Sequence, residues 1–235
     1  MPILAWANAP NGAIANLNSS RDRTKTMPVM RHTQKGIAMR NERIRLIAEI
    51  GLTVALSIAL NAAFTLITPI RMPFGGSFSL MMLPIILLAL MRGPLAGITA
   101  GVLVGFSDLM FNPYVISIPQ MFLDYPIAYG LVGLAGLFAV RQERSLFNSP
   151  KYMDSIVRLM AFAVIGTIVG GLARLAAHIL SGVLFFAQYA PEAQNVWIYS
   201  TVYNLTFMGP NILAVAVCAA VAFPLIRRVI IAQQT

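Results

Sequence analysis

Long apolar runs joined by short polar segments make up most of the chain from residue 46 onward. These runs carry no continuous polar face, and several reach the ~20 residues with which a helix crosses about 30 Å of hydrocarbon. A buried soluble core would need polar surfaces around it, and the sequence offers none. We therefore predict an all-α, polytopic membrane protein. Its six predicted transmembrane helices are residues 46–67, 79–91, 93–111, 119–139, 156–185 and 199–226.

The composition agrees with this pattern. Charged residues are 11% of the chain, whereas soluble domains carry about a quarter. The formal net charge of +9 comes from basic residues beside the apolar runs, which is typical of topology signals and anionic-lipid contacts rather than of nucleic-acid binding. The single cysteine, Cys218, lies in an apolar run, so disulfides and cysteine-based metal sites are excluded.

Basic residues also orient the predicted helices. They fall in the N-terminal tail, after the second helix, between the fourth and fifth helices and at the C-terminal end, whereas the opposite loops carry only Arg71. By the positive-inside rule, both termini are predicted to be cytoplasmic. An even number of helices requires the two termini to lie on one side, so the two predictions agree.

Two regions are distinguished along the chain. Residues 1–43 begin rich in Ala, Asn, Gly and Pro and then become basic, without the apolar core and cleavage site of a signal peptide. We expect this region to be a disordered, basic cytoplasmic tail. Residues 44–232 are predicted to form the six-helix transmembrane domain that holds any substrate-binding site.

Small residues recur at four-residue spacing. Gly93, Gly97, Gly101 and Gly105 form a ladder in the third predicted helix. Such faces let helix backbones approach closely in lipid, and we interpret this ladder as internal packing. A similar small pair in the first predicted helix, Gly51 and Ala55, lies near its cytoplasmic end.

Placing an ionisable side chain inside a membrane costs free energy, so each such residue in an apolar helix is a candidate for function. The candidates are Asp108, Asp124, Arg174 and His178. At 1.5 Å per residue, Asp124, His178 and the amide of Asn204 fall at similar depths below the outer ends of three helices.

Aromatic residues surround that level: Tyr114, Tyr125, Phe186 and Tyr199 are among them. A carboxylate, an imidazole, an amide and aromatic faces suit an outward-facing pocket for a small cationic heteroaromatic ligand. The alternatives are a simple ion pair between Asp124 and Arg174, a packing role for His178 and an interfacial aromatic belt.

Four patches of sequence, in this order, resemble the thiamine-specific S-components of energy-coupling factor (ECF) transporters, the ThiT family. The similarity extends over about residues 46–221. The patches are residues 84–93, 122–126 and 178–190, followed by Tyr199 with Asn204.

The resemblance implies site residues. It places the carboxylate of Asp124 against the thiazolium ring of thiamine, with Tyr125 and Tyr114 lining the site. Some members have glutamate at the position of Asp124. The family pattern also implies tryptophan in some members where this chain has Phe186.

The remaining contacts implied by the resemblance come from two later helices. His178, Tyr199 and Asn204 would contact the ligand and its aminopyrimidine ring, and the aromatic ring of Phe186 would stack on the ligand. The implied partners are thiamine, the ECF transmembrane coupling subunit and two ATPase subunits. Docking to the coupling subunit would use Gly51 and Ala55, and the implied location is the plasma membrane of a prokaryote.

Catalysis is not expected from this chain, and neither a cofactor nor a metal is expected. The chain lacks the G-x-x-x-x-G-K-[ST] loop that binds ATP phosphates. One alternative is transport of another small cationic heterocycle or a thiamine precursor. The other is an intramembrane hydrolase that uses Asp124 and His178 as an acid–base pair, for which the sequence shows no obvious serine or cysteine nucleophile.

Overall fold

The structure is a computed structural model. It describes the backbone of residues 13–67, 72–73, 76–111, 113–139 and 152–232 and, within these ranges, side chains from residue 39 onward except at 152, 153 and 231. The chain divides into two compact units, Met1–Ile47 and Ala48–Thr235. All contacts given below lie within the second unit. The predicted tail, residues 1–43, falls largely outside the described side chains, so its assignment stays a prediction.

Six long or medium helices and no strand occur in the described part of the chain, in agreement with the predicted all-α fold. Each of the six predicted apolar segments falls on one of them. The helices are α1 Ala13–Ile67, α2 Met82–Arg92, α3 Pro94–Asp108, α4 Ile118–Phe138, α5 Tyr152–Phe185 and α6 Val196–Ala232.

Four of these helices contain segments that are long and apolar enough to cross a membrane: Met39–Ile67, Ile118–Phe138, Asp154–Phe185 and Val196–Ile230. Helices α2 and α3 have 11 and 15 residues. At 1.5 Å per residue they are roughly 16 and 22 Å long, shorter than the ~30 Å hydrocarbon layer. The predicted count of six membrane crossings therefore stays a prediction.

The short helix α2 is the centre of the core. Met82, Ile85, Ile86, Ala89 and Leu90 are fully buried, and α2 packs against α3, α4, α5 and α6. A helix that is apolar all round must be surrounded by apolar material. Here that material is other helices of the same protein, which explains why α2 needs no membrane-spanning length.

A polar anchor holds the segment that leads into α2. Asn211 of α6 accepts a hydrogen bond from the Ser79 backbone N–H at 2.8 Å and donates one to the Ser77 carbonyl at 2.9 Å. The Ser79 hydroxyl accepts a hydrogen bond from the Met81 N–H. These bonds provide hydrogen-bond partners for backbone groups of Ser77, Ser79 and Met81, which precede α2 and are not paired within a helix.

The α3 ladder of glycines lies against the backbone of α4. A β-carbon added at Gly97, Gly101 or Gly105 would lie under 3.0 Å from α4 backbone atoms. Internal packing, the interpretation favoured from the sequence, is therefore correct for these three glycines. Gly93 differs, because no atom lies near its added β-carbon and its φ of 94° instead allows the tight turn between α2 and α3.

We expect the change Gly101→Ala to destabilise the protein strongly. The new methyl group would press on the Tyr129 carbonyl, and backbone cannot move aside as a flexible side chain can. Overpacking of this kind costs about 3 kcal/mol, which corresponds to a fall of roughly 6–12 °C in the thermal midpoint. The matched control is Gly51→Ala, where no atom lies within 4 Å of the added carbon. Equal melting temperatures for the two variants in detergent would contradict the packing described here.

Candidate functional site

A cavity of about 430 Å³ lies between α1, α3, α4, α5 and α6, at the end where the segments before α2, before α4 and after α5 meet. It contains all seven residues predicted from the sequence to bind substrate. Their role in binding stays a prediction, but their convergence is a property of the fold. The seven are Tyr114, Asp124, Tyr125, His178, Phe186, Tyr199 and Asn204.

Asp124 is the best-supported polar group of the cavity wall. Its Oδ2 accepts hydrogen bonds from Gln120 Nε2 and Ser181 Oγ, both at 2.7 Å. Its Oδ1 lies 3.0 Å from His178 Nδ1. These three neighbours orient the carboxylate in the cavity wall.

The helix that carries Asp124 changes its winding at this point. Leu123–Ile127 form a π-helical turn inside α4. Pro126 has no N–H, so the regular i→i−4 hydrogen-bond ladder cannot continue through it. In the widened turn Asp124 and Tyr125, which are neighbours in sequence, both line the cavity.

Tyr125 also holds the segment that precedes α4. Its hydroxyl accepts a hydrogen bond from the Tyr114 N–H at 2.8 Å, and Gln120 Nε2 donates to the Tyr114 carbonyl at 3.1 Å. The Tyr114 ring stacks on Phe186 with 5.9 Å between centroids and an interplanar angle of 29°. Gln120 therefore links the Tyr114 segment directly to Asp124.

One face of α5 supplies three polar side chains. Arg174, His178 and Ser181 are spaced at i, i+4 and i+7 and line the same cavity. Arg174 is buried, and its guanidinium lies 3.8 Å over the ring of Tyr129. No described carboxylate lies within 4.0 Å of this guanidinium. The ion pair between Asp124 and Arg174, one of the alternatives from the sequence, therefore does not form.

A second carboxylate, Asp108, lines the cavity beside the first. It accepts hydrogen bonds from Asn61 Nδ2 at 3.2 Å and from the Tyr129 hydroxyl at 3.0 Å. Sequence reasoning named Asp108 as a costly intramembrane group but did not assign it to the site, and it did not single out Asn61. A lone amide in an apolar helix was the available signal, because such a group needs a polar partner.

Helix α6 contributes an amide and two tyrosines. Asn204 Nδ2 donates to the His178 carbonyl at 3.3 Å and to the Ser200 carbonyl at 2.9 Å. The rings of Tyr199 and Tyr203 lie 6.2 Å apart. Tyr199 and Asn204 are five residues apart, which places them on different sides of an ideal helix, yet both line the cavity.

The polar groups do not form a hydrolytic triad. A nucleophilic serine needs a histidine beside it as a base, with the carboxylate behind the histidine. Here the carboxylate of Asp124 lies between Ser181 and His178, so the serine proton points at a carboxylate. Among the described residues, no group of three or more metal-ligating side chains was found.

The arrangement is suited to binding a cation. Asp108 and Asp124 lie in a wall that also contains the faces of several aromatic rings. Carboxylates attract a positive charge, and aromatic faces add a cation–π contribution of about 0.5–2 kcal/mol.

Comparisons with known proteins agree with this chemistry. The family described as "Thiamine transporter protein" matches residues 47–231. The "Thiamine transporter ThiT" of Bacillus subtilis is 34% identical over 181 residues, which cover 77% of this chain and 90% of that protein. The protein of the same name from Lacticaseibacillus paracasei is 32% identical over 167 residues, 65% of this chain and 78% of that one.

A solved structure shares the fold. It is that of ThiT from Listeria monocytogenes, with a TM-score of 0.60 and 23% sequence identity, and the match covers 80% of this chain and 96% of that chain. At this identity the likeness concerns the fold alone.

Proposed function

Because this chain belongs to the thiamine transporter protein family, we propose that it binds thiamine in the cavity around Asp124 and hands it on as the substrate-capture subunit, or S-component, of an ECF-type importer. The observation that carries the proposal is the carboxylate of Asp124, oriented by hydrogen bonds in a cavity that aromatic residues also line. Thiamine has a fixed positive charge on an aromatic ring, which fits both features.

The proposed contacts follow the cavity wall. Asp124 faces the thiazolium ring, and Tyr125 and Tyr114 lie beside it. The stacked pair of Tyr114 and Phe186 offers a flat aromatic surface to a ligand ring. We assign contacts with the ligand and its aminopyrimidine ring to His178, Asn204 and Tyr199, which line the same cavity.

Equilibrium binding of thiamine to the purified full-length protein tests the proposal directly. Saturable binding of one thiamine per chain is expected, with a much weaker affinity for a neutral analogue that lacks the thiazolium charge. The second candidate is another small cationic heterocycle or a thiamine precursor. Saturable binding of such a compound without binding of thiamine would favour the second candidate.

We further propose six membrane crossings with both termini in the cytoplasm, and a cavity open to the outside of the plasma membrane. Support comes from the position of the cavity beside the segments before α2, before α4 and after α5, which carry few basic residues. Arg92 lies at the other end, where it forms a two-bond ion pair with Glu49 at 2.6 Å.

Single cysteines should reveal this topology in a Cys218→Ala background. A cysteine at the exposed Gln194, between α5 and α6, should react with a membrane-impermeant thiol reagent in intact cells. A cysteine at Ser149, which lies outside the described residues, should react only after the cells are permeabilised. The reverse pattern of labelling would invert the proposed orientation.

We propose that two separate ATPase subunits hydrolyse ATP and that a transmembrane coupling subunit connects them to this chain. The proposed docking face is Gly51 with Ala55 on α1. Both residues are exposed, whereas the polar side of α1, with Thr53 and Ser57, is buried in the protein. Two residues along a helix correspond to about 200° of rotation, so the small pair points away from the core.

A further inference from the structure

The segment before α4 has no regular secondary structure. Residues 113–117 lie outside any helix or strand, so their backbone groups depend on other partners. Side chains of α4 supply three of these partners. The Tyr125 hydroxyl accepts from the Tyr114 N–H at 2.8 Å. Gln120 donates to the Tyr114 carbonyl and accepts from the Ile116 N–H, each at 3.1 Å. Gln120 therefore makes two of the three bonds that hold this segment to α4.

Backbone partners fix the orientation of the Gln120 amide. Its Oε1 faces the Ile116 N–H, which can only donate, and its Nε2 faces the Tyr114 carbonyl, which can only accept. A rotated amide would set donor against donor and acceptor against acceptor. In this orientation Nε2 also donates to Asp124 Oδ2 at 2.7 Å. The amide thus uses both N–H groups and its oxygen, and it joins the segment before α4 to the carboxylate of the cavity wall.

We propose that Gln120 is a positioning residue, whose amide holds the segment before α4 and the carboxylate of Asp124 in one fixed arrangement before a ligand enters the cavity. The role of this arrangement in thiamine binding rests on the proposed function. The arrangement itself is a property of the ligand-free protein, and it can be tested without any ligand.

The position of Gln120 suits this role. Gln120 and Asp124 lie four residues apart on α4, so their side chains meet on one face of the helix. Ser117 caps the start of this helix and accepts a hydrogen bond from the Gln120 backbone N–H at 3.3 Å. The Gln120 residue is only 1% exposed, so bulk water does not compete for the hydrogen bonds of its amide.

Loss of the amide would act mainly through the ring of Tyr114. Without Gln120 the carboxylate of Asp124 keeps Ser181 and His178 as neighbours, whereas the segment before α4 keeps one of its three bonds to α4. The Tyr114 ring lies in the cavity wall, where it stacks on another ring. A wall that is already ordered spares a ligand the free-energy cost of ordering it.

Amide hydrogen exchange, resolved by residue with NMR, tests the arrangement in the ligand-free full-length protein. In the wild type we expect the Tyr114 and Ile116 amides to exchange at least about tenfold more slowly than in an unstructured chain. Gln120→Met keeps the length of the side chain but removes the amide, so the largest acceleration should occur at Ile116. In Tyr125→Phe it should occur at Tyr114 instead. An unprotected Ile116 amide in the wild type, or the same pattern in both variants, would overturn the proposal.

A double-mutant cycle on thiamine binding tests the consequence. Gln120→Met should weaken binding more than about tenfold, because the segment before α4 is then ordered only when the ligand binds. In a Tyr114→Ala background the same change should cost less than about threefold, because the ring that Gln120 positions is absent. The control Ser117→Ala removes the hydrogen bond to the Gln120 backbone and keeps the side-chain amide, so affinity should change less than about threefold.

An equal loss of affinity from Gln120→Met in both backgrounds would overturn the proposal, because the amide would then act on the ligand without Tyr114. If Gln120→Met does not fold, the exchange rate at Ile116 in the wild type decides: slow exchange supports the proposal and fast exchange overturns it. Failure of the wild type to bind thiamine would refute the proposed function, whereas the exchange rates would still report whether Gln120 holds the segment before α4.

Discussion

Replacement of Asp124 by asparagine should lower the affinity for thiamine by more than about hundredfold, or ~2.7 kcal/mol. The change removes the carboxylate that we propose to face the ligand cation and keeps the size of the side chain. It also sets an amide donor against the donors of Gln120 and Ser181, both 2.7 Å from the present carboxylate. Breaking a buried charge pair from one side typically costs ~3–5 kcal/mol.

Two variants separate charge from local geometry. Asp124→Glu keeps the charge and should retain measurable binding. Ser181→Ala removes one hydrogen bond to the carboxylate but keeps the charge, and its affinity should fall less than about tenfold. Isothermal titration of each purified variant, with its melting temperature as a check of folding, gives the comparison. Wild-type affinity in a folded Asp124→Asn protein would remove this residue from the site.

Replacement of Gly51 by tryptophan should abolish thiamine uptake by cells and leave thiamine binding by the purified protein unchanged. Gly51 is exposed, and nothing lies within 4 Å of a β-carbon added there, so we expect the isolated protein to accept the larger side chain. A helix of a coupling subunit that approaches closely over Gly51 and Ala55 would be pushed away by several ångströms. Uptake of labelled thiamine and co-purification of the coupling module measure the two functions separately.

The matched control is Leu213→Trp, which places the same ring on an exposed position of α6. Uptake should survive in this variant, because α6 is not the proposed docking face. Loss of thiamine binding in Gly51→Trp would mean that this face packs inside the protein. Intact uptake in Gly51→Trp would mean that the coupling subunit docks elsewhere.

The sequence predicted the helices well because hydropathy depends on local composition. It did not predict the place of α2. Apolar runs look alike whether lipid or protein surrounds them, and only the tertiary structure distinguishes the fully buried Ile85 and Ile86 of α2 from the exposed Leu52 and Leu56 of α1.

Part of the candidate site could be predicted from the depth of each residue below the end of its helix. Counting residues from helix ends brought together Asp124, His178 and Asn204. In the structure His178 Nδ1 lies 3.0 Å from Asp124 Oδ1, and Asn204 donates to the backbone carbonyl of His178. Helix arithmetic could not foresee the π-helical turn at Pro126, which brings neighbouring residues to the same cavity wall.

A usable signal was overlooked in α1. Glu49, Thr53, Ser57 and Asn61 recur at four-residue spacing, which puts them on one face of the helix. In the structure this polar face contacts the protein: Glu49 pairs with Arg92 and Asn61 donates to Asp108. The spacing therefore indicates both the inward face of α1 and the helix's link to the cavity.

The enclosure of α2 has a consequence for biogenesis. Ribosomes deliver α2 and α3 before α4, α5 and α6, which supply most of the surroundings of α2. A helix of about 16 Å cannot span the bilayer alone, so α2 cannot reach its final depth when it first leaves the translocon. We expect its insertion to be completed only after the C-terminal helices are synthesised. A nascent chain stalled after α3 should therefore remain extractable from the membrane by alkali more readily than one stalled after α6.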